Sequence, residues 1–193
     1  IIEYTKLMYD MTVFNSPITT PISTLERFYK LQLTVSYWKN TDVNNGSVSD
    51  VSMYYHTPAT NEYNTHLKLG VDENNQMQLV LNNISGTYKT TSDFTLIKNT
   101  WYNITLSIDY DGTKMINDIF VSTDSDNIHH YTHQTSDFVP FVGMSSPNNI
   151  RIGTHPNDTS SQLKQKLEKF KLYNTKISKQ TLQNILQNDH NHH

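Results

Sequence analysis

Cysteine is absent from this sequence. The chain therefore has neither disulfide bonds nor thiolate ligands for a metal, and the usual sequence signal of an oxidising or reducing compartment is missing. Its 193 residues are still enough for a full hydrophobic core, because a chain of this size buries roughly 70% of its unfolded surface. Folding without covalent cross-links is expected.

Concentrated positive charge and long apolar runs are also missing. Lysine and arginine total 15 against 18 acidic residues, and the formal net charge is -3. Binding to nucleic acid requires a dense basic face, so no nucleic-acid partner is expected. No apolar run approaches the roughly 18 residues of a membrane helix, so no membrane insertion within this chain is expected. The chain begins without Met, and we interpret it as a piece of a larger protein.

The sequence does have a strong period of two. In the stretch RFYKLQLTVSYWKN, one face is continuously apolar and consists of Tyr29, Leu31, Leu33, Val35 and Tyr37. This alternation predicts a long strand with one face in a core. Similar strands flank the polar turn ENNQ and the turn pair Asp111-Gly112, which predict two hairpins.

One segment has the pattern of a helix. Ser178 is a candidate N-cap, and Leu182, Ile185 and Leu186 supply an apolar stripe after it. Pro21, near the start of the chain, indicates an edge strand or a loop. Together the patterns predict an all-β fold, a two-sheet antiparallel β-sandwich with one short C-terminal helix. We expect one domain over residues 1–187, followed by a disordered tail or purification-tag remnant over 188–193.

Several segments resemble a known superfamily. They are, in chain order, Leu33 to Trp38, Trp101 to Leu106, Ile150 to Gly153, Leu167 to Asn174, and Ile177-Ser178 followed by Leu182 and Ile185. Their order resembles the concanavalin A-like lectin and laminin-G-like jelly-roll superfamily, whose first long core strand ends in Trp and whose last strands lead into a Leu-Ser segment. The resemblance implies a jelly-roll sandwich, with Trp38 and Trp101 in its interior.

Catalysis is not expected. Glycoside hydrolysis needs two carboxylates about 5 to 9.5 Å apart, and the hydrolases of that superfamily carry Glu-x-Asp-x-x-Glu for this purpose. That motif is absent here, as is the Gly-x-Ser-x-Gly elbow of serine hydrolases. We therefore predict no catalytic residues.

Candidate ligand-binding residues lie in the stretch MYYHTPATNEYNTH. Sugar recognition uses flat aromatic faces flanked by polar groups that bind hydroxyls. The residues of these types are Tyr54, Tyr55, His56, Asn61, Tyr63 and Asn64. The alternative interpretation is that these side chains only line the sandwich.

Calcium is the one cofactor that the sequence suggests. Laminin-G-like and pentraxin-like proteins often bind it at the rim of the sandwich, so the resemblance implies a search for oxygen ligands in the loops. Asp124, Asp126 and Asn127 place two carboxylates and an amide oxygen within four residues, the hard ligands that calcium prefers. We predict this loop as the metal site.

The predicted function is a non-catalytic binding or adhesion module that recognises a glycan or a glycosylated protein partner, outside the cell or on its surface. The alternative is a structural protein–protein interaction domain in an extracellular assembly or fibre, without sugar binding. A fold of this kind supports either, so the site itself has to decide between them.

Overall fold

The computed structural model describes residues 7–14, 18–21, 31–41, 48–153 and 165–189. Its strands form two antiparallel sheets. The first sheet contains, in spatial order, β1 (Leu7–Phe14), β12 (Gln165–Tyr173), β3 (Leu31–Thr41), β8 (Tyr102–Tyr110), β9 (Met115–Asp124) and β10 (Asn127–Thr135). The second contains β2 (Ile18–Pro21), β11 (Asn149–Ile152), β4 (Val48–Thr57), β5 (Glu62–Val71), β6 (Gln76–Asn83) and β7 (Gly86–Thr95). The predicted two-sheet sandwich is confirmed.

Alternating apolar residues from both sheets form one core. Leu33 and Val35 of β3 are completely buried, and they share a cluster with Val51, Leu67 and Leu79 of the second sheet. The period-two pattern therefore identified the inward face of β3 correctly, whereas Tyr29 of the predicted set lies outside the described residues. Both predicted hairpins are present as well, between β5 and β6 and between β8 and β9, and β2, which ends at Pro21, is an edge strand.

A helix, α1 (Lys179–Asp189), forms a second cluster on the outer face of the first sheet. Its start is as predicted, because the Ser178 hydroxyl accepts a hydrogen bond from the Thr181 amide at 3.1 Å. Leu182 and Leu186 are buried in this cluster together with Trp38. The helix includes Asn188 and Asp189, two residues beyond the predicted domain end, and residues 190–193 lie outside the described residues.

The outer face of β3 is buried as well as its inner face. Thr34 and Ser36 alternate with the core residues, yet both are buried. The segment leading into α1 contacts Thr34, whereas Asn103 and Thr105 of β8 contact Ser36. The Thr34 hydroxyl donates to the Thr175 carbonyl at 2.7 Å and accepts from the Ile177 amide at 3.2 Å. Trp38 is buried as predicted, but Trp101 is only partly buried and packs against the edge of the second cluster.

Two β-bulges change which side chains point inward. Between the pairs Ser49–Gly70 and Val51–Leu69 the register shifts, and the extra residue is Asp50. A second shift in the same hairpin leaves His66 of β5 without a cross-strand partner. Each bulge interrupts the alternation of the strand, and both of these titratable side chains are completely buried.

Asp50 belongs to a buried ion pair between the sheets. The Lys39 ammonium lies 2.9 Å from one carboxylate oxygen and 3.2 Å from the other, and the Tyr37 hydroxyl donates to the first oxygen at 2.5 Å. Burial raises the pKa of Asp50, opposed by the charge of Lys39 and the hydrogen bond from Tyr37. Since the Lys39 and Asp50 side chains are 1% and 0% exposed, a ligand in solvent cannot reach them.

Within the described ranges, no helix is long and apolar enough to cross a membrane.

Candidate ligand-binding site

An aromatic and polar cluster lies at the end of the β4–β5 hairpin. His56 and Tyr63 are cross-strand partners, as are Tyr54 and Thr65, so their side chains share one face of the sheet. The turn between the strands ends at Asn61, whose φ of 55° is in the left-handed region that Asn tolerates better than most residues. The turn brings the Asn61 side chain within hydrogen-bonding distance of His56 and Tyr63.

The rings and the amide of this cluster are in direct contact. The His56 ring stacks on Tyr63 with centroids 4.6 Å apart and an interplanar angle of 11°. Tyr54 packs against Tyr63 in an edge arrangement, with centroids 5.4 Å apart. The Asn61 side-chain oxygen accepts from His56 Nε2 at 3.1 Å and from the Tyr63 hydroxyl at 3.3 Å. Four of the six predicted ligand residues are thus brought together, and we call His56, Asn61 and Tyr63, with Tyr54 beneath them, the hairpin cluster.

The other two predicted residues lie elsewhere on the hairpin. Tyr55 and Asn64 pair with each other across the strands, and alternation places them on the opposite face from His56 and Tyr63. Tyr54 has 2% of its surface exposed, so within the cluster it supports the Tyr63 ring and offers little surface to a ligand.

Asn148, which the sequence reasoning missed, anchors the hairpin cluster to the loop before β11. Its side-chain oxygen accepts from the His56 amide at 2.9 Å, and its side-chain nitrogen donates to the His56 carbonyl at 3.2 Å. Its own amide donates to the Tyr54 carbonyl at 3.0 Å. The two residues are 92 positions apart, and no local pattern links them.

The hairpin cluster has the chemistry of a small polar binding site. Because the Asn61 oxygen is occupied by His56 and Tyr63, its amide nitrogen is left with two N–H donors and, within the described part of the chain, no protein acceptor. Asn61 and the adjacent Glu62 are exposed, while His56 and Tyr63 are half-buried. Such a site combines a ring surface with outward-facing donors, and its side chains are already held in place before a ligand arrives.

The predicted calcium loop forms the turn of the β9–β10 hairpin. One carboxylate oxygen of Asp124 accepts from the amides of Asp126 and Asn127 at 2.8 and 2.9 Å. The Asn127 side-chain nitrogen donates to both carboxylate oxygens at 2.9 Å. These contacts are those of a turn stabilised by an Asp side chain. Among the residues that the structure describes, no group of three or more His, Asp or Glu side chains could hold a metal, and calcium binding by this loop stays a prediction.

Comparison with known proteins finds similarity in structure alone. No family model matches the chain, and no curated protein sequence matches it. The botulinum neurotoxin serotype D binding domain is similar, with a TM-score of 0.63, 11% identity, and coverage of 93% of this chain and 42% of that one. A serotype D ligand binding domain in complex with N-acetylneuraminic acid is similar with a TM-score of 0.62 and 14% identity, and the match covers 91% of this chain and 41% of that one. A botulinum neurotoxin type C structure, whose description says that cell entry depends on interaction with two ganglioside molecules, is similar with a TM-score of 0.59 and 10% identity. This match covers 89% of this chain and 39% of that one.

These comparisons show the β-sandwich fold and no more, because identity is between 10% and 14%. This chain also spans only about two fifths of each neighbour, from 39% to 42% of its length. The sialic acid and ganglioside contacts of the whole neighbours therefore do not identify a site in the part that matches.

Outside the hairpin cluster, β10 carries two histidine–aspartate pairs. His129 Nε2 donates to Asp93 at 2.6 Å, and this hydrogen bond lowers the pKa of the exposed Asp93 carboxyl. His130 Nε2 donates to Asp118 at 2.6 Å. Burial raises the pKa of Asp118, but hydrogen bonds and the charge of Lys176 outweigh burial and lower it overall. His130 also stacks on a ring, that of Phe120, with centroids 4.3 Å apart at 13°, nearly the geometry of His56 on Tyr63.

Proposed function

We propose that this chain is a non-catalytic binding module that recognises a glycan, or a glycosylated partner, through the hairpin cluster. The proposal includes a concanavalin A-like or laminin-G-like jelly roll and a place in a larger secreted or cell-surface protein. The observation that carries it is the pre-formed contact of His56, Asn61 and Tyr63 at an exposed hairpin end.

A sugar suits this cluster better than an apolar ligand. A pyranose ring presents C–H groups that pack on ring faces and hydroxyls that accept hydrogen bonds, and the hairpin cluster offers ring faces and N–H donors. The Asn61 amide provides donors beside the His56 ring, whereas Glu62 lies on the opposite face of the hairpin with Tyr55 and Asn64. Since hydrogen bonds and stacking already fix these side chains, little conformational entropy is lost when a ligand binds.

The neighbours of similar fold are consistent with a carbohydrate ligand, since one is described with N-acetylneuraminic acid and another with gangliosides. They support the proposal at the level of fold and ligand class. The location of the site in this chain rests on the contacts of the hairpin cluster alone.

The experiment is a glycan array followed by calorimetric titration of the best glycan, comparing wild type, His56→Ala and Asn61→Ala. His130→Ala is the matched control, because it removes a histidine stacked on an aromatic ring at another place on the surface. We expect saturable binding by wild type and His130→Ala, and at least a tenfold weaker affinity for His56→Ala and Asn61→Ala. No saturable binding by wild type, or equal binding by His56→Ala, would contradict the proposal, and the former favours a structural protein–protein domain.

A further inference from the structure

A lysine amine and an aspartate carboxyl are held against each other in the interior, between the two sheets. Alternation along β3 places Tyr37 and Lys39 on the same inward face, and the bulge in β4 turns Asp50 toward them. The Lys39 Nζ is 2.9 Å and 3.2 Å from the two Asp50 oxygens, and the Tyr37 hydroxyl donates to the nearer oxygen at 2.5 Å. We call these three residues the buried triad.

The buried triad differs from the other lysine–aspartate pairs that the structure describes. Both of its charged side chains are excluded from solvent, at 1% and 0% exposure. In the pair of Lys176 with Asp118, the nitrogen is 3.4 Å from the oxygen and the lysine is 37% exposed. In the pair of Lys171 with Asp189, the nitrogen is 3.9 Å from the oxygen and both side chains are partly exposed. Among these described pairs, only the buried triad combines close contact with complete burial.

Complete burial removes what normally prevents an amine and a carboxylic acid from condensing. In water both groups are ionised and strongly solvated, which stabilises them relative to an amide, and a buried ion pair has lost that solvation. A low dielectric also favours transfer of the ammonium proton to the carboxylate, which leaves an uncharged amine beside an uncharged acid. Burial raises the pKa of Asp50 in this direction, against the charge of Lys39 and the hydrogen bonds from Tyr37 and Lys39.

The fold also keeps the two reacting groups together. Groups that are fixed in contact react as if present at an effective concentration of about 10⁵ M or more. Lys39 is paired on both sides within the first sheet, with Leu167 of β12 and Tyr102 of β8. The Asp50 carbonyl accepts a hydrogen bond from the Gly153 amide at 2.6 Å. Since both backbones are tied into the sheets, the amine and the carboxyl stay adjacent for as long as the chain is folded.

We propose that Lys39 and Asp50 condense to an amide bond, so that a side-chain cross-link joins the two sheets. The ion pair is the state before this reaction. After the proton transfer, the neutral Lys39 nitrogen attacks Cγ of Asp50, and the Tyr37 hydroxyl donates to the oxygen on which negative charge develops. A proton then passes from the nitrogen to the other oxygen, the C–O bond to that oxygen breaks, and one water molecule leaves. One C–N bond has formed, and no further reactant is needed.

Tyr37 is suited to the role of donor. Burial, together with the Asp50 charge and hydrogen bond, raises the pKa of its phenol well above the usual value, so the phenol stays protonated. In the product its hydroxyl can donate to the amide carbonyl, and two buried charges have been replaced by one neutral group. The bond forms after folding, because the groups meet only in the folded chain, and it does not depend on the proposed glycan binding.

The first experiment is mass spectrometry of the intact wild-type protein, whose mass should be lower than the sequence mass by one water molecule. Lys39→Arg is the matched control, because Arg keeps a positive charge beside Asp50 but its guanidinium is a poor nucleophile, and its mass should equal the sequence mass. Trypsin should fail to cleave wild type after Lys39, and should cleave normally after Lys171 and Lys176. A protease that cuts before Asp42 should then leave two peptides joined through residues 39 and 50.

The second experiment tests the donor. Tyr37→Phe keeps the ring and removes the hydroxyl, so we expect the loss of water to proceed roughly a hundredfold more slowly during incubation at neutral pH. Tyr110→Phe is the control, since Tyr110 is another buried tyrosine of the first sheet and lies outside the buried triad. Circular dichroism verifies that each variant is folded. An equal rate in Tyr37→Phe and wild type would contradict the role of Tyr37.

Three results overturn the cross-link: a wild-type mass that still equals the sequence mass after prolonged incubation, the same loss of water in Lys39→Arg, or a loss that maps to Asp111-Gly112. Dehydration at an Asp-Gly pair gives a cyclic imide, which hydroxylamine opens, whereas it leaves a side-chain amide intact. Because these measurements use no sugar, none of these results affects glycan binding by the hairpin cluster.

Discussion

Trp38 and Asp189 are joined by a hydrogen bond although 151 positions separate them: the indole Nε1 donates to the Asp189 carboxylate at 2.9 Å. Asp189 is the last residue of α1, where the helix dipole disfavours a negative charge. Asp189 therefore stabilises the fold through its tertiary contacts and not through the helix dipole. The Lys171 ammonium, 3.9 Å from the same carboxylate oxygen, offsets the negative charge. This contact holds the end of α1 against the first sheet.

We expect Asp189→Ala to lower the free energy of unfolding by about 1 to 3 kcal/mol, because it leaves a buried indole N–H without its acceptor. Urea unfolding followed by far-ultraviolet circular dichroism measures the change. Asn188→Ala is the control, since Asn188 is exposed in the same turn of the helix. Equal stability of Asp189→Ala and wild type would show that the hydrogen bond contributes nothing.

The Lys39–Asp50 pair predicts a strong effect of removing one charge. Lys39→Met leaves the Asp50 carboxylate buried without its cation, and we expect a loss of about 3 to 5 kcal/mol. The double variant Lys39→Met with Asp50→Leu should be more stable than Lys39→Met, because it removes the unpaired charge. Thermal and urea denaturation test both, with Lys114→Met as a control. If Lys39→Met is as stable as wild type, the Lys39–Asp50 pair does not stabilise the fold.

His66 predicts a loss of stability in mild acid. Burial lowers its pKa, and the carbonyls of Ser145 and Asn64 offset burial only in part. The unfolded chain, with a histidine pKa of about 6.5, then binds more protons than the folded one, so the contribution is complete above that pH and is lost as the pH falls below it.

We therefore expect the free energy of unfolding to fall between about pH 7 and pH 5, and to fall less in His66→Gln. Urea unfolding at several pH values measures the slope, and nuclear magnetic resonance titration of the His66 ring checks the direction of the shift. A pKa at or above that of a free histidine would contradict the prediction.

Asn148 predicts a local effect on the hairpin cluster. Asn148→Ala removes both side-chain hydrogen bonds to the His56 backbone, and we expect a loss of about 1 to 2 kcal/mol. Hydrogen exchange at the His56 amide should become faster, whereas Asn74→Ala, in the exposed turn before β6, should leave it unchanged. Unaltered protection of the His56 amide in Asn148→Ala would show that the loop does not anchor the hairpin.

The calcium prediction for Asp124, Asp126 and Asn127 is tested by melting temperature. Binding stabilises only the native state, so the melting temperature should rise with calcium and fall again with chelator, at an affinity on the order of 0.1 to 1 mM. Replacing Asp124 and Asp126 by Asn should abolish the rise. The melting temperature without calcium should barely move, because an Asn oxygen can still accept the two turn amides. A wild-type protein that does not respond to calcium has no such site.

Local patterns in the sequence determined the strand β3 with its inward face, the two hairpins and the helix. Alternation alone identified Leu33 and Val35 as core residues, because a strand side chain points to one face or the other according to its position. Ser178 marked the start of α1 for a similar reason, since capping involves atoms three residues apart. The stretch MYYHTPATNEYNTH contained the four residues that meet at the β4–β5 hairpin end.

Contacts between distant segments were decided only by the tertiary structure. No alternation pattern shows that an extra residue in a bulge turns Asp50 and His66 inward, or that the segment before α1 covers Thr34. The contact of Asn148 with His56, and that of Ile84 with Val142, joins loops whose proximity depends on strand order. A local pattern records the environment of one face of one element, whereas the order and register of the strands depend on the free energy of packing all of them together.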